Sequence, residues 1–345
     1  MRTDKQNPAM HASTVTPAAA TMTAMVQDQY GEAEDVLRLD QIDRPTIGDG
    51  DVLVRVHAAG LDQGVWHAVA GLPYPIRLAG YGLRTPKNRV PGTDVAGRVE
   101  AVGAAVTELR VGDEVFGIAR GSFAEYASAA ADKLLRKPTR LTFEQAAAIP
   151  VSACTALQGV RDHGRVRPGQ HVLVIGASGG VGTYTVQIAK AFGAEVTGVC
   201  STSKVDLVRS IGVDHVVDYT RDDVTDGRQR YDVILDIGGN RSLTRLRQAL
   251  TPKGTLVIMG GETDGRWLGG SDRQLRAMAL SPFVSQKLGT FVATPNAPGL
   301  AVLAELVEAG AVTPVIDQTY PLGDLPAAIR YLRQGRARGK VVIRV

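Results

Sequence analysis

Apolar and polar positions alternate along the first part of the chain, as they do in half-buried β-strands. In DVLVRVHAAG, Val52, Val54 and Val56 alternate with polar neighbours. The stretches PGTDVAGRVEAVG, VGDEVFGIA and FAEYASA repeat this order of strand and glycine-containing turn. A single helix, over residues 62–70, interrupts them. Residues 25–140 are therefore predicted to form an antiparallel barrel or sandwich.

Near residue 142 the pattern changes to alternating helices and strands. TFEQAAAIPVSACTALQGV reads as helix, with a capping box at Thr142 and Gln145 and a break at Pro150. Helices are then predicted over residues 180–191 and 203–211, between short apolar strands in HVLVIG, EVTGVC, DHVVDY, YDVILDIGG, TLVIMGG and GTFVA. Alternation at this spacing predicts an α/β fold with a parallel, doubly wound sheet. From about residue 298 the chain returns to mixed helix and strand.

A glycine-rich turn joins the first of these strands to its helix. It has the A-x-G-x-x-G form, and its residues are Ala177, Ser178, Gly179, Gly180, Val181 and Gly182. Gly179 lets the backbone approach a pyrophosphate, and Gly182 lets the helix pack close to the strand. The N-terminus of the helix offers free N–H groups and partial positive charge. This context predicts dinucleotide binding at the turn; a purely structural turn is the alternative.

The end of the next strand predicts which dinucleotide binds. Proteins that prefer NAD usually place a carboxylate there, on the ribose hydroxyls. Here the strand runs into Ser201, Thr202, Ser203 and Lys204, and Tyr219 ends the following strand. Hydroxyls and an ammonium group suit a 2′-phosphate, which they hold by charge-assisted hydrogen bonds. We therefore expect NADP(H); helix capping with a solvated lysine is the alternative, and the two roles are compatible.

Several motifs, in order along the chain, resemble the medium-chain dehydrogenase/reductase superfamily and its zinc-independent quinone oxidoreductases, which are similar to zeta-crystallin. The motifs are PGTDVAGRVEAVG, VGDEVFG, AAAIPVSACTALQGV, VLVIGASGGVGTYTVQIAKAFGAEVTGVCST, GVDHVVDYT and ARGKVVIRV. The resemblance covers about residues 24–345. It implies a Rossmann NADP-binding domain at 146–297, inserted in a GroES-like catalytic domain at 22–145 plus 298–345. It also implies NADPH as hydride donor, a quinone or α,β-unsaturated carbonyl as acceptor, and a homodimer joined through the Rossmann sheet edge.

The same resemblance implies positions for further site residues. Thr155 is expected near the nicotinamide, and Asp62, Trp66 and Tyr74 near the substrate mouth. Residues at strand ends are expected to line the cofactor: Ile237, Gly238, Met259, Gly260 and Gly261.

The C-terminal segment is rich in Arg and Lys with no acidic residue between them from Arg330 onward. Lys340 is the first candidate there to reach a phosphate or the carboxamide of the cofactor. A solvated basic face is the alternative.

No metal is expected in the site. Zinc-dependent relatives carry a Cys ligand early in the first domain and a Gly-His-Glu motif after it, where this chain reads AAGLDQGVW and PGTDVAG. Without a Lewis acid, quinones and conjugated enones suit hydride transfer because they are already electrophilic. Asp62 and Tyr74 are the catalytic candidates, with His67 or solvent as other proton sources. Many quinone reductases have Asn at the position of Asp62, and a helix N-cap role for Asp62 is the alternative.

Composition sets limits on these predictions. The 345 residues are 44% hydrophobic and 21% charged, which is typical of globular domains. Two cysteines, Cys154 and Cys200, exclude a disulfide scaffold and a four-cysteine zinc site, and both are expected to be buried and inert. No apolar run reaches the ~18 residues of a membrane-spanning helix. We expect a cytoplasmic protein that does not contact membranes, with residues 1–21 as a disordered tail.

Two other functions remain open at this point. One is a zinc-independent enoyl or carbonyl reductase acting on lipid-like substrates. The other is a non-catalytic protein that binds NADPH or RNA. The net charge of +4 is compatible with an anionic ligand. However, the chain lacks the interleaved aromatic and basic residues on which single strands stack, so no nucleic-acid partner is expected.

Overall fold

The computed structural model describes residues 21–239, 241–260 and 265–345. The strands in these residues are β1 (Thr21–Val26), β2 (Arg38–Asp43), β3 (Asp51–Leu61), β4 (Asp94–Val102), β5 (Glu114–Ile118), β6 (Tyr126–Ala130), β7 (Leu134–Arg136), β8 (His171–Ile175), β9 (Glu195–Cys200), β10 (His215–Asp218), β11 (Tyr231–Asp236), β12 (Leu250–Ile258), β13 (Lys287–Thr290), β14 (Ile316–Pro321) and β15 (Lys340–Arg344). The helices are α1 (Ala33–Val36), α2 (Gln63–Ala70), α3 (Phe143–Ala147), α4 (Pro150–Leu157), α5 (Gly180–Ala191), α6 (Val205–Ser210), α7 (Leu243–Ala249), α8 (Ser271–Leu280), α9 (Ala297–Glu308) and α10 (Leu325–Arg333).

Six strands from the middle of the chain form one parallel sheet in the order β10-β9-β8-β11-β12-β13. The apolar strand cores are buried, as a sheet covered on both faces requires: Leu173, Ile234 and Leu256 have no exposed surface. The strand order reverses between β8 and β11, and doubly wound sheets bind ligands outside the carboxyl ends of the strands at such a point. The predicted α/β architecture is confirmed.

A second, mainly antiparallel sheet combines strands from both ends of the chain. Its order is β14-β15-β3-β4-β5-β7, with β6 paired to β3. The strand β15 lies between β14 and β3, where Val342 is opposite Gly60. The parallel sheet is therefore inserted between the early and late strands of this GroES-like sheet, as the resemblance implied.

The two sheets share one buried cluster at their junction. It contains Ala58 and Phe116 from the antiparallel sheet together with Val174 and Val257 from the parallel sheet. The domain limits expected at 145/146 and 297/298 fall inside α3 and α9. These limits stay a prediction. Of the predicted tail, residues 1–20 lie outside the described residues, and Thr21 is the first residue of β1.

Local sequence signals fix several helix ends as predicted. The capping box is present: Gln145 N donates to Thr142 Oγ1 (3.2 Å), and Thr142 N donates to Gln145 Oε1 (3.0 Å). Pro150 begins α4. The helix predicted over 203–211 is shorter, because a 3₁₀ turn at Thr202–Lys204 precedes α6. No helix of the described chain is both long enough and apolar enough to span a bilayer.

Candidate functional site

The glycine turn between β8 and α5 leaves room in front of the helix N-terminus. A Cβ on Gly179, the N-cap residue of α5, would have Gly176 O as its nearest neighbour, at 3.6 Å. A Cβ on Gly182 would lie 2.0 Å from the same oxygen, which leaves no space for it. Gly182 is thus required by packing, whereas Gly179 keeps open the approach to the first N–H groups of α5. This geometry fits a pyrophosphate.

The residues predicted to hold a 2′-phosphate lie together after β9, but their polar groups already have protein partners. Thr202 Oγ1 donates to Asp218 Oδ2 (2.5 Å). Lys204 Nζ donates to the carbonyl oxygens of Gly335 and Ala337, both at 2.9 Å. Burial lowers the pKa of Lys204. Binding of a phosphate by these groups therefore requires an exchange of partners.

Tyr219 and Asp218 complete this corner. Tyr219 is exposed, and its N–H donates to Cys200 O (3.1 Å), so its backbone lies next to the Ser201 turn. Hydrogen bonds, first from the Thr202 hydroxyl, lower the pKa of Asp218. Our sequence reasoning missed Asp218, although its position at the end of β10, beside Tyr219, was the available signal.

The strand ends expected to line the nicotinamide meet at the carboxyl edge of the parallel sheet. Ile237 N and Gly238 N donate to Ile175 O, at 3.0 and 3.3 Å. A Cβ on Gly260 would lie 2.3 Å from Ile237 O, so the segments after β11 and β12 are in direct contact. Gly261 lies outside the described residues.

Thr155 lies in α4, and Met259 contacts the helical turn that directly follows α4. The hydroxyl of Thr155 donates to Val151 O (2.7 Å), one turn earlier in α4. The methyl end of Met259 faces Gly159, where a Cβ would lie 2.5 Å from it. The helical turn that directly follows α4 therefore packs close to the segment after β12, near the position expected for the nicotinamide.

A buried ion pair that the sequence reasoning missed lies under these segments. Asp236, the last residue of β11, has no exposed surface, and its Oδ2 is 2.7 Å from Arg273 Nη1. Its Oδ1 accepts from Gly239 N (3.0 Å). Burial raises the pKa of Asp236 to about 6, although Arg273 acts against this rise. A lone Asp ending an apolar strand was the available signal, since a buried carboxylate needs a partner.

The three residues expected at the substrate mouth have different environments. Asp62 is the N-cap of α2: its Oδ1 accepts from Val65 N (3.3 Å), and its Oδ2 is buried without a hydrogen-bond partner among the described residues. Trp66 is almost fully buried, and its expected place near the mouth stays a prediction. Its indole is buried in the core with Leu325 and Ile329, under the guanidinium of Arg333 at 3.7 Å.

Tyr74 lies at a contact between the two domains. Its N–H donates to Arg266 O (2.8 Å), and its ring meets Trp267 edge-on with the centroids 5.3 Å apart. Trp267 is 72% exposed. Because Tyr74 precedes β4 and Trp267 follows β12, this contact joins a segment near the antiparallel sheet to a segment near the parallel sheet.

Lys340 lies beneath the glycine turn, and its ammonium group points away from it. A Cβ on Gly180 would meet the Lys340 stem at 3.0 Å, whereas Nζ donates to Ser152 Oγ (2.9 Å) and lies 3.6 Å from Asp94 Oδ2. Both charged side chains are at most 1% exposed. Asp94 Oδ1 accepts from Val151 N (3.1 Å), and burial raises its pKa to about 8 against the opposing charge of Lys340. The ammonium of Lys340 thus already has buried protein partners, and its contact with the cofactor stays a prediction.

In the part of the chain that the structure describes, no group of three or more His, Cys, Asp or Glu side chains is arranged to hold a metal. Asp62 caps α2, and Asp94 is paired with Lys340. Cys154 and Cys200 are buried free thiols, and burial raises the pKa of Cys154 to about 12.

Comparisons with known proteins agree with this architecture. The model of the alcohol dehydrogenase GroES-like domain matches residues 48–139, and that of the zinc-binding dehydrogenase family matches residues 211–343. Human mitochondrial NAD(P)H oxidoreductase RTN4IP1 is 33% identical over 367 residues, which cover 96% of this chain and 91% of the relative. The chloroplastic NADPH-dependent alkenal/one oxidoreductase of Arabidopsis thaliana is 34% identical over 348 residues, with 93% and 79% covered.

A solved structure shows the same fold. The quinone oxidoreductase of Coxiella burnetii superposes with a TM-score of 0.82 at 25% identity, and the match covers 94% of this chain and all of that one. Relatives that extend over nearly the whole chain and both of its sheets establish the family. The chain belongs to the medium-chain dehydrogenase/reductase superfamily, in its quinone oxidoreductase branch, and is an oxidoreductase.

Proposed function

We propose that this protein transfers a hydride from NADPH to a quinone or an α,β-unsaturated carbonyl without the help of zinc. The observation that carries the proposal is the carboxyl edge of the parallel sheet. There, the open space at Gly179 lies in front of α5, and β9 leads directly into hydroxyl and ammonium groups at Ser201–Lys204 in place of a carboxylate. The names of the two relatives, which mention NAD(P)H and NADPH, support the nicotinamide cofactor.

The cofactor, when bound, supplies a hydride and leaves as NADP⁺, and the acceptor takes up this hydride together with a proton from solvent. The residues of the chain bind and orient. In this proposal the N-terminus of α5 holds the pyrophosphate, and Ser201, Thr202 and Lys204 hold the 2′-phosphate with Tyr219 over it. The segments after β11 and β12, together with Thr155, form the walls for the nicotinamide ring.

Steady-state kinetics with NADPH and NADH, on a benzoquinone and on a simple enone, test the proposal. We expect a higher kcat/KM with NADPH, and we expect Lys204→Glu to lower it about tenfold or more while NADH is affected less, because each lost charge-assisted bond costs more than ~1.4 kcal/mol. Lys253→Glu, an equal change of charge at an exposed residue of β12, is the matched control. Equal efficiency with NADH overturns the cofactor assignment. Tight NADPH binding without turnover on either acceptor overturns the enzymatic one.

A homodimer through the edge of the parallel sheet is part of the same proposal. The edge strand β13 pairs only with β12 among the described strands, and the exposed apolar residues Leu275, Met278 and Phe283 lie just before it. Light scattering on the wild type and on Phe283→Asp tests it, since a buried carboxylate weakens such an interface. A monomeric wild type overturns it.

We also keep the cytoplasmic location as a proposal; imaging of the full chain in its cell decides it.

A further inference from the structure

Two backbone segments lie side by side at the carboxyl edge of the parallel sheet, one after β11 and one after β12. Met259 N donates to Asp236 O (2.7 Å), and a Cβ on Gly239 would lie 2.5 Å from Asp236 Oδ1. With the 2.3 Å approach at Gly260 described above, the two backbones are in direct contact at these described residues.

The side chain of Arg273 contacts both segments. Its Nη1 is 2.7 Å from Asp236 Oδ2 and donates to Arg241 O (3.1 Å), and its Nη2 donates to Gly260 O (3.3 Å). Asp236 in turn holds Gly239 N. One planar guanidinium thus joins the end of β11, the segment before α7 and the segment after β12.

Arg273 also lies next to the contact between the domains. It belongs to the first turn of α8, which directly follows the segment carrying Trp267. Trp267 meets Tyr74, and Arg266 O accepts from Tyr74 N. Arg273, which contacts the segments after β11 and β12, is therefore six residues along the chain from this contact.

Stability alone does not account for such a pair. Taking a carboxylate and a guanidinium out of water costs several kcal/mol per ion, and well-packed apolar residues often replace buried ion pairs without loss of stability. A planar, always charged donor does fix geometry, because its N–H groups point in set directions. Displacing reacting groups by about 1 Å can cost about a hundredfold in rate.

We propose that Arg273, held by Asp236, is a positioning residue for hydride transfer: it fixes the separation of the two segments that form the nicotinamide walls. The inference rests on the proposed function, since it concerns the geometry of that same site. Among the residues that the structure describes, the charged groups acting on Asp236 are Arg273, from α8, and Arg241, from the segment before α7. The carboxylate must be ionised to hold the guanidinium, so turnover depends on its charge.

The test compares Arg273→Met, Arg273→Lys and Asp236→Asn with Arg276→Met, which changes an exposed arginine of the same helix. We expect Arg273→Met to lower kcat about tenfold to a hundredfold with a change of less than about threefold in the KM for NADPH. In the wild type we expect kcat to fall at low pH, where Asp236 becomes protonated; this fall is the low-pH limb. Loss of the cation in Arg273→Met raises the pKa of Asp236, so the limb moves to higher pH in this variant. Arg273→Lys restores part of kcat and Arg276→Met leaves it unchanged. Asp236→Asn abolishes the limb.

Three results separate the outcomes. Folded Arg273→Met with wild-type kcat and an unmoved pH limb overturns this inference and leaves the proposed function intact. If Arg273→Met does not fold, the nearly isosteric Asp236→Asn decides: an abolished limb supports the inference, and a retained limb overturns it. A wild type that turns over neither acceptor overturns the proposed function and this inference with it.

Discussion

At the scale of single residues, Asp62 shows how a structural and a chemical role can be separated. One carboxylate oxygen caps α2 and the other is buried without a described partner. Asn caps helices about as well as Asp, so Asp62→Asn should keep the free energy of unfolding, whereas Asp62→Ala should lose about 0.5–2 kcal/mol. Urea unfolding measures both. A large fall in kcat for Asp62→Asn at unchanged stability is what a catalytic Asp62 predicts.

Asp94 makes stability depend on pH in an unusual direction. Its pKa is raised by burial from 3.8 to about 8, so the folded chain binds this proton more tightly than the unfolded chain. The contribution is full below pH 3.8 and is lost as the pH rises through 8. Asp94→Asn should therefore flatten the fall in unfolding free energy between pH 4 and 8, by at most about 1.4 kcal/mol per pH unit.

Urea unfolding across this pH range checks the expectation for Asp94. Asp206→Asn is the control, because that carboxylate is almost fully exposed. An unchanged slope in Asp94→Asn would contradict the assigned titration. The prediction needs no cofactor, since it concerns folding alone.

The sequence pointed to candidate cofactor residues, which stay predictions, but it did not indicate the buried charges around them. The glycine turn and the Ser201–Lys204 corner follow from local spacing, which a single segment contains. Asp94, Asp236 and their partners Lys340 and Arg273 are far apart along the chain, and only the tertiary fold brings them together. Lys340 was assigned to the cofactor because it belongs to a basic segment; the burial of its ammonium beside Ser152 was not visible there.

At the scale of elements, the β8–turn–α5 unit assigns different roles to two glycines. Gly179→Ala has room for its Cβ and a backbone (φ −85°, ψ 176°) that Ala adopts, so its stability should stay within about 0.5 kcal/mol of wild type. The added methyl obstructs the pyrophosphate and should raise the KM for NADPH about tenfold. Gly182→Ala forces a Cβ to 2.0 Å from Gly176 O and should unfold the domain or destabilise it by more than about 3 kcal/mol.

Thermal unfolding and NADPH titration of both variants test this contrast. Normal NADPH affinity in Gly179→Ala would place the pyrophosphate elsewhere.

Elements of this kind were predictable because their periodicity is local: α5 spans the predicted 180–191, and the capping box at Thr142 and Gln145 forms as expected. The start of α6 was not predicted: a 3₁₀ turn at Thr202–Lys204 precedes it, and Lys204 Nζ donates to Gly335 O in the C-terminal segment.

At the scale of the whole molecule, the inserted architecture was predictable only through the family resemblance. The alternation of strands and helices indicates a parallel sheet, but hydrophobic periodicity does not show that β15 pairs with β3 across some 280 residues of chain. The same holds for Trp66, whose burial under Arg333 depends on α10 packing against α2.

The place of β15 inside the antiparallel sheet has a consequence for how the protein is made. Nascent chains emerge from the N-terminus, so the early strands must wait for residues 340–344 before their sheet is complete. The inserted parallel sheet has all its strands much sooner. In ribosome-bound chains halted shortly before residue 340, we expect pulse proteolysis to cut within residues 51–136 and to spare residues 171–290. Equal protection of both regions would show that the antiparallel sheet is already folded before β15 is synthesised.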